Sequence, residues 1–191
     1  MDSDSKPGLI ERLTAMLLRV PGDRGQLAEI LRAAYERNLM DADALTIIEG
    51  ALAASETRVS HVMVPRALME VVDINEPMAR IIPVVIETAH SRFPVIDGDR
   101  DNVLGVMLAK DLLRIHVDAD FDLRAWLRPV VFIPEAKRLD VLLREFRVSR
   151  NHMAIVVNEY GSVAGLVTIE DVLEQIVGDI EDEYDFDEAY D

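Results

Sequence analysis

Thr168 and Asp171 are the residues of this chain whose types and spacing best suit chemistry. They stand three apart in GLVTIEDV, where an apolar run ends and an amphipathic one begins. A hydroxyl closing a strand and a carboxylate opening the next helix face one crevice at that spacing. An ionised carboxylate accepts two donors at once, and a charged acceptor roughly doubles the strength of each bond. Two neighbouring hydroxyls of a ligand suit such a group. The exposed amides of a helix N-terminus add affinity for phosphate or carboxylate. The same two side chains can instead close on each other as a helix cap. Thr168 and Asp171 therefore each read as either cap or ligand contact. His90, Ser91 and Arg92, and again Arg150, Asn151 and His152, precede two further apolar runs. Arg92 is the best candidate for an anion, because guanidinium matches phosphate geometry. A solvated rim position is its plainer reading.

Catalysis finds little support. No nucleophile elbow, phosphate-cradling glycine loop or dinucleotide fingerprint occurs. His61, His90, His116 and His152 share no metal-binding spacing within one helical segment. There is no cysteine, hence no disulfide framework and no thiolate metal site. The formal charge of −16 argues against a nucleic-acid or anionic-membrane surface, since phosphate contacts need a basic patch. No apolar run approaches the ~20 residues of a membrane span. The start, MDSDSKPG, lacks the basic and apolar regions of a secretory signal. These features lead us to expect a cytoplasmic protein that is not an enzyme.

The candidate residues recur because the chain repeats. HSRFPVIDGDRDNVLGVMLAKDLLRI at 90–115 aligns without a gap on RNHMAIVVNEYGSVAGLVTIEDVLEQ at 150–175. Phe93 falls on Met153, Gly105 on Gly165 and Asp111 on Asp171. Two copies of one small motif that pack on each other place a cleft between them. Strands are expected at 71–74, 93–96, 103–108, 130–133, 153–157 and 163–168, with DGDRDN and NEYG as turns. Asn75 is expected to cap a helix that buries Ala79, Ile82 and Ile86, and Leu139, Leu142 and Phe146 to face the core from its counterpart. Each copy is thus β-α-β-β-α, and the fold class is α/β (α+β), a pseudo-symmetric pair behind an N-terminal helical extension. Within the extension, Ile10, Leu13, Leu17 and Val20 mark one helix, Leu27–Ala34 a second, and Asp41 caps a third. The divisions are residues 1–58, with 1–8 unstructured, then 59–118, 119–180 and an acidic tail at 181–191.

The repeat resembles a tandem pair of cystathionine-β-synthase (CBS) motifs, carried by Phe93–Ile96, by Gly105–Asp111 and by Gly165–Asp171. VMVPR at 62–66, AHSRFPVI at 89–96, NHMAIVVNEYG at 151–161 and GLVTIEDVLEQIVGDIEDEYD at 165–185 are similar to the CorC and hemolysin-C-like family of magnesium and cobalt efflux proteins. The resemblance implies an adenine-nucleotide-binding regulatory module for AMP or ATP, with Mg²⁺ carried on the phosphates. It implies a ribose on Thr168 and Asp171, beside Val167, and phosphates near Ser91 and Arg92. Flat walls for the base are available at Val64 and Pro65, at Phe93 and Pro94, and at Met153 and Ala154. The first copy offers Leu108 and Asp111 instead. Leucine neither donates nor accepts, so the Asp111 site is expected to be the weaker. The resemblance also implies a homodimer and a membrane transport protein as partner; an assembly module without a ligand is the alternative. In that family a transporter-associated domain follows the acidic stretch; this sequence stops there, which reads either as a fragment or as a departure from the pattern.

Overall fold

The computed structural model of the protein describes residues 21–117 and 121–178. The expected helix over Ile10–Val20, the unstructured start and the acidic tail lie outside the described residues. The extension supplies two helices, α1 (Arg24–Glu36) and α2 (Ala42–Ala54). Their caps are the aspartates that precede them. Asp23 accepts from the Gln26 amide at 2.9 Å and Asp41 from the Ala44 amide at 2.8 Å, which satisfies donors that a helix start leaves unpaired.

The first copy forms a three-stranded sheet. β1 (Val64–Pro65) belongs elsewhere; β2 (Val72–Asp73) runs parallel to β3 (Arg92–Asp97), which pairs antiparallel with β4 (Asp99–Leu108). Helix α3 (Met78–Thr88) crosses over between β2 and β3. A 3-10 stretch, Ala109–His116, follows β4. In the second copy β5 (Phe132–Pro134) is parallel to β6 (Met153–Val157), and β7 (Val163–Thr168) is antiparallel to it. α4 (Leu139–Ser149) is the crossover and α5 (Ile169–Val177) follows β7. The expected β-α-β-β-α order is present twice.

The copies exchange their entry segments. β1 opens the first copy in sequence yet adds to the second sheet, with Val64 opposite Leu166 and Pro65 opposite Gly165. Val59, one turn earlier, is fully buried in the second copy's core. Reciprocally, Arg128 bridges to Val106 of β4 through two backbone hydrogen bonds of 2.9 Å. The glycines that align in the repeat explain both approaches. A Cβ on Gly165 would stand 2.3 Å from the Val64 carbonyl oxygen, and one on Gly105 2.7 Å from that of Arg128. Only a residue without a side chain admits a backbone that close.

Each copy has its own core. Phe93, Val95 and Met107 are fully buried in the first, and Leu139, Ala154, Val167 and Val172 in the second. A third cluster joins them, with Val106 of the first sheet against Met153, Ile155 and Leu166 of the second. Two local expectations fail. Pro77, with its fixed φ, stands at the N-cap of α3, while Asn75 spends its amide on Asp73 and Asp97. The buried face of α3 is Ile81 and Val85, with the expected Ile82 half-buried against the same core; Ala79 is exposed and Ile86 is 73% exposed. In the first hairpin, the DRDN part of the expected turn is already strand, and Gly98 alone makes the reversal at φ +73°.

Candidate ligand cleft

Helices α3 and α4 both end on a non-glycine residue in the left-handed conformation, Ala89 at φ 54° and Arg150 at φ 56°. Each sharp reversal swings the following residues over the end of the central strands. His90, Ser91 and Arg92 reach the mouth of one cleft this way, and Asn151 and His152 the mouth of its counterpart.

The first cleft encloses about 380 Å³ between the copies. Its apolar side is Val64 and Leu68 on the entry segment, with Met153 and Leu166 on the second sheet. Its polar side is Ser91 and Arg92 against Thr168, Glu170 and Asp171. Leu68 is 69% exposed, a large apolar side chain left open beside a polar crevice, as ligand grooves commonly have. At the start of α5 the Thr168 amide and hydroxyl both donate to Asp171 Oδ2, at 2.6 and 2.7 Å. The Asp171 amide donates back to Thr168 Oγ1 at 3.2 Å. This is a complete capping box. It leaves Asp171 Oδ1 with no hydrogen bond among the described residues. Cap and ligand contact are therefore compatible, because the cap holds one oxygen of a residue that lines the cleft and leaves the other open. Glu170 lies 3.8 Å from Arg92 and 3.9 Å from His152 Nδ1, the latter a salt bridge only with a protonated imidazole. At 63% exposure for Glu170 these are weak contacts.

Of the candidate residues, Val64, Ser91, Arg92, Met153, Thr168 and Asp171 come together around this cleft. Pro65, Phe93, Pro94, Ala154 and Val167 do not line it. Pro65 is exposed and faces away, since neighbours on a strand alternate sides. Phe93, Ala154 and Val167 are fully buried, and Pro94 is buried beside Phe93; these four fill the core beneath the site. Leu68, Glu70, Ala89, Leu166 and Glu170 line it without having been singled out as binding residues, and His90, named with Ser91 and Arg92, also lines it. Spacing carries one signal for the first two. Eight positions separate Val64 from Val72, but four separate the matching Arg128 from Phe132. The extra length is a 3-10 turn, Arg66–Leu68, that lifts Leu68 and Glu70 over the cleft.

The counterpart cleft, about 400 Å³, is lined by Leu108 where the first has Thr168, and by Arg92, Arg128, Arg150 and His152. Asp111 has left it. Its side chain is 6% exposed and lies 3.0 Å from the guanidinium of Arg128, a contact whose angles leave its Oδ2 without a formal hydrogen bond. An ion pair holds the carboxylate that a diol would need.

The CBS-domain model matches residues 59–118 and 127–178, and a model described as the N-terminal region of NMB0537 matches residues 19–54. The chain belongs to the CBS-domain family, as a tandem pair. It is 43% identical over 192 residues to the magnesium and cobalt efflux protein CorC of Vibrio cholerae, covering 100% of this chain and 66% of that one. With CorC of Pasteurella multocida it shares 48% identity over 168 residues, 87% of this chain and 56% of the relative. The chain thus spans less than two thirds of these relatives' lengths. Among solved structures, a conserved domain from Neisseria meningitidis matches at 48% identity and TM-score 0.74, over 78% of this chain and 97% of that chain. The CBS domain of a bacterial CNNM/CorC family Mg²⁺ transporter in complex with ATP matches at 38% identity and TM-score 0.63, over 70% and 96%. A CBS-domain pair from Klebsiella pneumoniae with bound AMP matches at 28% identity and TM-score 0.58, over 64% and 99%. No helix among the described residues is long and apolar enough to cross a membrane.

Proposed function

We propose that the cleft between the copies binds one adenine nucleotide, AMP or ATP, and that the pair is a regulatory module of magnesium and cobalt efflux. The observation that carries this reading is Asp171, held at one oxygen by its cap and open at the other, on the same cleft as Arg92. The ribose hydroxyls donate to Asp171 Oδ1. The phosphates turn toward Ser91 and Arg92, with Mg²⁺ as their counterion when ATP is bound. The base lies against Val64, Leu68, Met153 and Leu166. The ATP and AMP complexes of similar CBS domains support the ligand class, and the similarity to CorC proteins supports the process. The nucleotide is sensed, not consumed: Ser91, His90, Glu70 and Glu170 share the cleft, but among the described residues no hydrogen bond joins the Ser91 hydroxyl to a base. Binding one relative arrangement of the copies more tightly shifts the population toward it, and a membrane transport protein reads that change. The protein acts as a cytoplasmic homodimer.

Thermal unfolding with AMP, ATP, ATP plus Mg²⁺, and GTP tests this. A ligand at ~100 times its dissociation constant stabilises by about 2.7 kcal/mol, roughly 5–10 °C at this chain length. An adenosine-specific rise is expected. A second reading, an assembly module without a ligand, draws on the counterpart cleft, where Leu108 and the Asp111–Arg128 pair leave no diol site. Tight self-association with no shift from any nucleotide favours it.

A further inference from the structure

The cleft's apolar wall is a short segment, residues 64–70, with little core of its own beyond Met69. Its position is fixed from behind. Arg66 points away from the cleft, across the seam between the copies. Its Nη1 donates to Asp101 and, at 3.2 Å, to the Val163 carbonyl, and its Nη2 lies 3.3 Å from Asp99. Asp101 in turn accepts from the Val163 amide at 2.7 Å. Arg100 donates from Nη1 to the carbonyls of Arg66 and Met69, both at 2.8 Å. One hairpin of the first copy, one strand of the second and the cleft wall therefore meet at a single polar node. Val163 is itself 3% exposed, so its amide depends on Asp101 for a partner.

We infer that Arg66 and Asp101 are positioning residues for the ligand: their clasp sets the wall that carries Val64 and Leu68 and couples its place to the arrangement of the two copies. The inference rests on the proposed nucleotide reading for its ligand, but not for the clasp. Neither side chain lines the cleft, and among the described residues the wall has no comparable side-chain anchor on its open side. Asp99 offers Arg66 only the longer outer contact, but its Oδ1 also accepts from the Asp101 amide at 2.9 Å, so Asp99→Asn, which keeps an oxygen acceptor there, is the internal control.

The test measures AMP and ATP affinity of the full chain at a temperature where circular dichroism shows every variant folded, and amide hydrogen exchange without ligand. Arg66→Ala and Asp101→Asn are each expected to weaken AMP by about tenfold, and the double variant to lose less than the two combined, because they share the Arg66–Asp101 contact. Arg66→Lys recovers part of the loss, and Asp99→Asn stays within about twofold of the parent. Exchange at the amides of 64–70 and at Val163 accelerates in Asp101→Ala. If Arg66→Ala and Asp101→Asn bind AMP as the parent does, or exchange at 64–70 is unchanged, the inference is overturned. A parent that binds no adenine nucleotide sinks the nucleotide reading alone; the exchange result still decides the clasp.

Discussion

Asp171 carries two tasks that substitution separates. Removing a helix cap costs about 1 kcal/mol, so Asp171→Ala lowers the melting temperature by roughly 2–4 °C and abolishes the nucleotide-dependent rise. Thr168→Ser keeps a hydroxyl for the same oxygen and retains both, as differential scanning fluorimetry will register. Asp101 adds a pH signal. The Arg66 guanidinium, then the Val163 amide, hold its carboxyl below the ordinary range. A carboxyl that is more acidic when folded contributes stability above its unfolded value, near 3.9, and loses it as pH falls through the folded one. Melting temperature measured from about pH 5 down to pH 2 therefore declines less steeply in Asp101→Asn than in the parent. Asp73, held low by the Asn75 amide, titrates in the same direction in both.

At the scale of elements, the decisive fit is β1 on β7. Gly165→Ala places a methyl against the Val64 carbonyl, so β1 must move off the sheet. Overpacking of this kind costs about 1–3 kcal/mol, and the loss should appear as a lower melting temperature together with weaker AMP binding. Helix α2 makes a similar approach: a Cβ on Gly50 would stand 2.3 Å from the Ile176 carbonyl oxygen. This packing ties the extension to the helix whose first turn is the Thr168–Asp171 cap. Local pattern made much of this legible. β6 and β7 begin and end where the unbroken apolar runs do, because strands buried on both faces leave no other signal to read. The face of α3 was legible only in part: Ile82 packs against the core as read, but the buried stripe runs through Ile81 and Val85, one position earlier than Ile82 and Ile86. Nor was strand at Asp99–Asn102, where charged residues are retained in the ladder by partners across the seam. Such partners come from distant sequence, which periodicity does not report.

For the whole molecule, the repeat forecast a pair with a cleft and two unequal sites, and the residues that align between copies show why. Thr168 and Leu108 differ in one side chain, but Asp111 also lies buried with Arg128. Leu108→Thr alone is therefore expected to add no second nucleotide, since the carboxylate stays in its ion pair; two ligands per chain in that variant would refute this. The exchange of entry segments was hidden from the sequence because Val64 and Arg128 pair across copies rather than within them. The wall residues Leu68 and Glu70 were hidden with it. The most direct test of the account is isothermal titration of AMP and ATP into the full chain and into the Thr168→Ala, Asp171→Ala double variant. The account predicts about one adenine nucleotide per parent chain and loss of more than about tenfold in affinity in the double variant. Equal affinity in the two, or GTP binding as tightly as ATP, would contradict it.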